Sequence, residues 1–212
     1  MSAARLVVWR HGQTRWNVER RMQGQTDVPL DAVGLAQARE AAVQLATFRP
    51  AAVVSSDLKR AAQTAAELAK LTGLEVTYDP DLREIDVGSW AGLTIDQIHE
   101  RDPDLARRLA AGEDVRRGGD GETLAELSER AEKAFRRAID LVADGETVVA
   151  ATHGMATRVG VTRLVGLPLQ YWEALGGLRN CAWVVCEPGP RGWRIAEWNV
   201  GASPRPDVGA HR

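Results

Sequence analysis

Four histidines occur in the chain, and two of them share a context. His11 follows the apolar run Leu6-Val7-Val8-Trp9 and Arg10, and precedes Gly12. His153 follows Thr147-Val148-Val149-Ala150-Ala151 and Thr152, and precedes Gly154. In a parallel α/β sheet the carboxyl ends of the strands form the functional edge. Both imidazoles would emerge there, and they would meet if the two strands were neighbours. Arg10 adjoins His11, and Arg60 lies in the first turns of a helix that follows Ser55-Ser56-Asp57. A helix N-terminus favours anions, and a guanidinium beside it adds paired donors for phosphate oxygens. The combination points to chemistry on a bound anion. Taken alone, Arg60 reads as a solvated helix arginine, the usual case. His99, in a charged helical stretch, and His211, near the end of the chain, read as exposed bystanders.

These residues need a scaffold, and the hydrophobic pattern supplies one. Short continuous apolar runs predict buried strands at Leu6–Trp9, Ala52–Val54 and Thr147–Ala151. Further strands are expected at Glu75–Tyr78, Ala182–Val185 and Trp193–Trp198. Helices are expected over Asp31–Thr47, with Asp31 as N-cap, and from about Leu58 to Thr72, with Gly73 past its end. Thr94 to about Ala111 reads as helical in parts, interrupted at Pro103. Thr123 and Glu126 form a capping box that opens a helix to about Val142, and another helix follows His153. Leu82–Gly92 and Gly118–Gly121 read as loops, and Gly12 as a sharp turn. Strands alternating with helices predict an α/β fold. It is a single-domain three-layer sandwich, a mostly parallel sheet with helices on both faces. The domain is expected over 1–200, with a flexible tail over 201–212.

Composition narrows the partners. The chain has 212 residues, 44% hydrophobic and 26% charged, with a formal net charge of -2, so no basic field is present to attract nucleic acid or an acidic membrane. Nearly all the cations are arginine; the lysines are Lys59, Lys70 and Lys133. Cys181 and Cys186 match no zinc or redox spacing and read as buried thiols. No leader-like or bilayer-length apolar run is visible, and the expected setting is the cytoplasm. No metal-ligand spacing, Gly-x-Ser-x-Gly elbow or phosphate loop of the Gly-x-x-x-x-Gly-Lys type occurs. Neither a metal nor a cofactor is expected.

Arg10-His11-Gly12-Gln13-Thr14-Arg15-Trp16-Asn17 resembles the Arg-His-Gly motif of the histidine phosphatase superfamily, the phosphoglycerate-mutase-like proteins. The resemblance continues in the family's order through Arg21-Met22-Gln23-Gly24-Gln25, Leu30-Asp31, Ser55-Ser56-Asp57-Leu58-Lys59-Arg60-Ala61, Leu82 to Gly92 and Thr152-His153-Gly154-Met155. It implies that His11 is the nucleophile, that Arg10, Arg60 and His153 form the phosphate pocket, and that Glu84 donates a proton. It also implies contacts from Asn17 and Gln23 to the transferred phosphate or the substrate near it, with Thr14, Gly24 and Gly154 as further binding positions. Elementary chemistry agrees. A neutral imidazole attacks phosphorus, and the phosphoramidate formed is labile. Flanking cations stabilise the charge spread over the phosphoryl oxygens and disfavour a protonated imidazole. A carboxylic acid can protonate the leaving oxygen. A loop glutamate taken alone would read as solvated, so the motif carries the assignment of Glu84; Asp86 reads as structural.

Within the family, mutases carry a longer insertion after the acid glutamate, with tyrosine, lysine and a paired arginine. Here Glu84 is followed by Gly88-Ser89-Trp90-Ala91-Gly92-Leu93-Thr94, which resembles the phosphatase branch. Arg116-Arg117 is similar to the mutase arginine pair but lacks the proline-rich residues after it. Arg21 to Gln25, Trp172-Glu173-Ala174-Leu175-Gly176-Gly177, Asn180-Cys181-Ala182-Trp183 and Trp198-Asn199 resemble the actinobacterial glucosyl-3-phosphoglycerate phosphatases. The resemblance thus implies a phosphomonoesterase for a small phosphorylated metabolite of the phosphoglycerate or sugar-phosphate type, glucosyl-3-phosphoglycerate among them, and a homodimer. The alternatives are a cofactor-dependent phosphoglycerate mutase and a catalytically inactive binding homologue. The latter usually loses the histidine or the acid, and this chain keeps both.

Overall fold

The apolar run after Arg5 forms strand β1 (Arg5–Arg10), with Leu6 to Trp9 wholly buried, as a strand covered on both faces requires. The computed structural model describes residues 4–201, so His211 and all of the expected tail except Gly201 lie outside the described residues. After β1 come a single helical turn α1 (Arg15–Val18), helix α2 (Ala32–Ala46), strand β2 (Ala52–Ser55), helix α3 (Lys59–Thr72) and strand β3 (Val76–Tyr78). Two short helices, α4 (Ile95–Arg101) and α5 (Leu105–Ala110), flank Pro103, and α6 (Leu124–Ile139) leads into β4 (Thr147–Thr152) and α7 (Gly154–Leu164). Strands β5 (Trp183–Gly189) and β6 (Gly192–Val200) complete the described chain.

Local chemistry sets several of these boundaries. Asp31 caps α2 by accepting from the Gly34 N–H at 2.8 Å, and Gly73 closes α3 in the left-handed conformation. Thr123 and Glu126 form the capping box of α6, which ends at Ile139, three residues before the expected Val142. The Leu82–Gly92 loop contains two short 3-10 turns, Pro80–Leu82 overlapping its start and Gly88–Trp90.

The strands form one sheet in the order β3-β2-β4-β1-β5-β6, with β3, β2, β4 and β1 parallel and β5 and β6 antiparallel. Alternate strand residues face opposite layers. Val7, Trp9, Val53 and Val149 pack on Ala38, Ala42 and Leu45 of α2 and on Ala65 and Leu68 of α3. Leu6, Val8, Val54 and Val148 pack on Ala134 and Phe135 of α6 and on Val161 and Leu164 of α7. This is the expected three-layer α/β sandwich with a mostly parallel sheet. For the site, the register matters most: Arg10 stands opposite Thr152 in the parallel β1–β4 pair. The ladder runs one residue further, since the His11 N–H donates to the Thr152 carbonyl at 2.9 Å. His11 and His153 therefore leave the sheet side by side.

Candidate active site

The two imidazole centroids are 5.2 Å apart and both rings are buried. His11 Nδ1 lies 2.6 Å from the Gly12 carbonyl oxygen. A carbonyl can only accept, so Nδ1 carries the proton and Nε2 keeps its lone pair. Gly12 is required here by close approach rather than by the turn expected of it. A Cβ on Gly12 would stand 2.4 Å from the Gly34 carbonyl oxygen at the start of α2. Burial holds His11 well below the usual imidazole pKa, and Arg60 and Arg10 push it the same way. The ring is thus neutral and basic at one nitrogen, the state a nucleophile needs.

A cavity of about 290 Å³ opens over His11. Its lining includes Arg10, Arg60, Asn17, Gln23, Gly24, Glu84 and Gly154. Arg60 is fully buried. Its Nε donates to His153 Nδ1 at 3.1 Å, and its Nη groups donate to the carbonyls of Gly24 at 2.7 Å and Thr26 at 2.8 Å. Two of its five N–H bonds are left for the cavity. Burial lowers its pKa to about 10, against the opposing pull of Glu84 and Asp27, so the guanidinium stays charged at neutral pH. Arg10 donates one Nη to the Leu178 carbonyl, while its buried Nε has no partner among the described residues. Asn17 Oδ1 accepts from the Thr14 backbone and hydroxyl, each at 3.0 Å, and from Asn180 Nδ2 at 3.3 Å. Its amide N–H₂ is therefore the end free to meet an anion. Gln23 lines the cavity with Oε1 buried and unpaired. Gly24 sits at φ +51, with Val87 Cγ2 only 2.5 Å from where a Cβ would be.

Two expected residues stand apart from the cavity wall. Thr14 is buried as the N-cap of α1, in a capping box with Asn17. His153 lies beside His11, but both of its ring nitrogens are occupied: Nδ1 accepts from Arg60, and Nε2 faces Ser56 Oγ at 2.9 Å. It buttresses Arg60 from behind. Its pKa is also held well below the usual value, first by burial and then by Arg60.

Glu84 reaches the cavity from the loop after β3 and docks on the N-terminus of α7. Its Oε1 accepts from the backbone N–H groups of Ile85 and Ala156, each at 3.0 Å, and its Oε2 from Met155 at 3.0 Å. The carboxylate thereby caps a helix whose own N-cap, His153, offers no side-chain bond. Arg130 of α6 fixes this loop. It donates to the carbonyls of Asp81 at 2.9 Å, Arg83 at 2.7 Å and Glu84 at 2.8 Å, and pairs with Glu122 at 2.6 Å. Asp86 accepts from the Gly88 N–H at 2.9 Å, a turn contact in keeping with a structural role, and His99 is exposed. Sequence reasoning did not single out Arg130, and its ordinary helical context offered no signal. Nor did it find Arg158, a further residue of the wall, though its position four after Gly154 on one helix face was a usable clue.

Arg116 and Arg117 do not line the cavity. Arg116 pairs with Glu126 at 2.6 Å and donates to the Gly121 carbonyl, and buried Arg117 bonds the Val115 carbonyl. No group of three His, Cys, Asp or Glu side chains that could hold a metal occurs among the described residues. No helix among them is long and apolar enough to cross a membrane. Cys181 and Cys186 are free and buried, and burial pushes both thiols up to about 12.

Comparison with known proteins gives the same family from independent directions. A family model described as the histidine phosphatase superfamily (branch 1) matches residues 6–201. The chain is 36% identical over 191 residues to a probable phosphoglycerate mutase GpmB of Enterobacter sp. (strain 638), covering 90% of this chain and 88% of that protein. Among solved structures, a mycobacterial glucosyl-3-phosphoglycerate phosphatase complexed with VO3 superposes with a TM-score of 0.85 at 36% identity, over 94% of this chain and all (100%) of that one. Bacillus stearothermophilus YhfR superposes with a TM-score of 0.84 at 28% identity, over 94% of this chain and 98% of its own. With a match spanning nearly the whole chain, His11 buried just past the end of β1 and Arg60 buried in the first turn of α3, this chain belongs to the histidine phosphatase superfamily, branch 1.

Proposed function

We propose that the chain is a phosphomonoesterase that hydrolyses a small phosphorylated metabolite through a phosphohistidine on His11. One observation carries this reading: a buried neutral imidazole, with Nδ1 locked on Gly12 and Nε2 unencumbered, beside two guanidiniums that retain free donors. The phosphoryl group sits on the open donors of Arg10, Arg60 and the Asn17 amide. Nε2 attacks phosphorus in line, the P–O bond to the leaving group breaks, and Glu84, which enters this step as the carboxylic acid, gives its proton to the departing oxygen and becomes the carboxylate. The arginines offset the charge on the equatorial oxygens and need no reorganisation, because the Gly24 and Thr26 carbonyls and His153 already hold Arg60. Water then cleaves the P–N bond with Glu84 as base, and phosphate leaves.

The relatives' names support a substrate class. Both the mycobacterial phosphatase and the probable mutase are named for a phosphoglycerate, which makes phosphoglycerates and their sugar derivatives, glucosyl-3-phosphoglycerate included, the first substrates to test. The same names raise the mutase as a second reading. A mutase must retain a bisphosphorylated intermediate with a second set of cations, and Arg116 and Arg117 are committed to Glu126 and the Gly121 and Val115 carbonyls. The two free buried thiols fit a reducing compartment, consistent with work in the cytoplasm.

The test is to react the enzyme with labelled substrate, quench it, and map the label. An acid-labile phosphohistidine at His11, lost with all turnover in His11→Ala, is expected. Label on another residue overturns the mechanism. With 3-phosphoglycerate, phosphate release should exceed 2-phosphoglycerate formation whether or not 2,3-bisphosphoglycerate is present. Bisphosphoglycerate-dependent interconversion faster than hydrolysis of every ester tried would make the chain a mutase.

A further inference from the structure

One turn beyond Gly154 on the same face of α7, about 6 Å along the axis, Arg158 also lines the cavity over His11. Its surroundings fix the side chain, and the carboxylate whose charge acts on it, Glu173, makes no ion pair with it. The Arg158 Nε donates to the Leu175 carbonyl at 2.9 Å, and the guanidinium lies over the Trp172 ring, 4.3 Å from the centroid. No carboxylate forms an ion pair with it among the described residues, and its two Nη groups have no hydrogen-bond acceptor there. The other arginine at the cavity rim differs: Arg21 is spent on Glu19 at 2.7 Å and on the Gly92 carbonyl at 2.7 Å. A half-buried cation held by stacking and one hydrogen bond, with its fork unpaired, is poorly compensated unless a ligand supplies the anion.

We propose that Arg158, held on Trp172, is a specificity-determining residue that binds a carboxylate on the substrate, so that the preferred substrates are phosphomonoesters of carboxylic acids. The inference rests on the phosphatase reading above and deepens it. The donors that line the cavity differ in the way this requires. Around His11 several converging donors, from Arg10, Arg60 and Asn17, suit a dianionic phosphoryl group with three oxygens. Arg158 instead brings a single planar fork, which offers two parallel N–H donors to the same cavity. Two donors in a plane match the two oxygens of a carboxylate, a monoanion of lower charge density. The stacked indole presets the plane of the fork, so little side-chain freedom is lost on binding.

The experiment compares substrate pairs that differ in the carboxylate: 3-phosphoglycerate against glycerol 3-phosphate, and O-phosphoserine against phosphoethanolamine. The ratio of kcat/KM within each pair is measured for the wild type, Arg158→Gln and Arg158→Lys. The wild type should favour the carboxylate of each pair by about tenfold or more, and Arg158→Gln should lower that ratio by about 10- to 100-fold, chiefly through KM. Arg158→Lys should retain part of the preference, because the charge persists while the fork and the stacking are lost; it gives the reading if the glutamine variant does not fold. A wild-type ratio near one, or a ratio that stays within about twofold of wild type in the folded variant, overturns the proposal while leaving the phosphatase reading intact. Failure to release phosphate from any ester overturns the phosphatase reading itself, and this inference with it.

Discussion

Glu84→Gln separates two roles that the structure gives one side chain. The carboxylate caps α7 through Met155 and Ala156 and also closes on the Ile85 N–H. A glutamine has one acceptor oxygen, so at least one of these three donors must face an N–H₂ group or lose its partner. An orphaned donor costs about 1–3 kcal/mol. Loss of a negative charge at a helix N-terminus costs about 0.3–1 kcal/mol more. Because Glu84 is only half-buried and water can reach the site, the lower part of that range applies, about 2 kcal/mol in all. For a chain of this size that lowers Tm by about 4–8 °C. Catalysis should respond differently. If Glu84 protonates the leaving oxygen, turnover of an alkyl phosphate such as 3-phosphoglycerate falls by about 10²- to 10⁴-fold. An aryl phosphate, whose phenolate leaves unaided, should lose less than about tenfold. The assay is steady-state release of phosphate from both esters, paired with denaturant unfolding of wild type and variant. An equal loss on both esters would refute the acid role. An unchanged unfolding midpoint would refute the docking of the carboxylate on α7.

Three further outcomes follow from the same geometry. His11 and His153 are held neutral in the folded protein, while in the unfolded chain each takes a proton near its ordinary pKa of 6.5. Protonation therefore favours unfolding: stability is full above pH 6.5 and declines as pH falls below it, by about 1.4 kcal/mol per pH unit for each histidine, and chemical denaturation from pH 7.5 to 5 should show the slope lessened in His11→Gln. The limb of kcat/KM that belongs to His11 should lie well below pH 6.5, with activity kept on the acid side; a limb at or above 6.5 would contradict the buried neutral nucleophile. Gly24→Ala forces a side chain into a left-handed residue and against Val87, at about 1–2 kcal/mol for the backbone alone, and shifts the carbonyl that holds Arg60; Tm and kcat/KM should both fall, the latter by about tenfold or more, and wild-type values for both would show that this loop does not position Arg60.

Much of the architecture was legible because its causes are local. A buried strand shows itself as a continuous apolar run, and helix ends show themselves in caps: Asp31 and Thr123 start their helices and Gly73 closes its own, all where expected. The pairing of His11 with His153 was visible as two matching strand ends, needing only that β1 and β4 be neighbours. The chain order of the motifs was enough to suggest the family. What each side chain faces was not legible. Arg60 sits on a helix like any other surface arginine, and its burial depends on carbonyls 34 and 36 residues away and on an imidazole 93 away. His153 reads as a pocket residue from its motif, yet Arg60 and Ser56 take both of its nitrogens. Thr14 belongs to the same motif and is spent on capping α1. Glu84 finds its helix cap 71 and 72 residues on, and Arg130 reaches its loop across 46 to 49 residues. Sequence alone determined the elements and the cast of charged groups, because periodicity and capping act within a few residues; which groups turn inward, which stay unpaired and which serve only to hold another was decided by tertiary packing, because burial and hydrogen-bond satisfaction are properties of segments brought together from far along the chain.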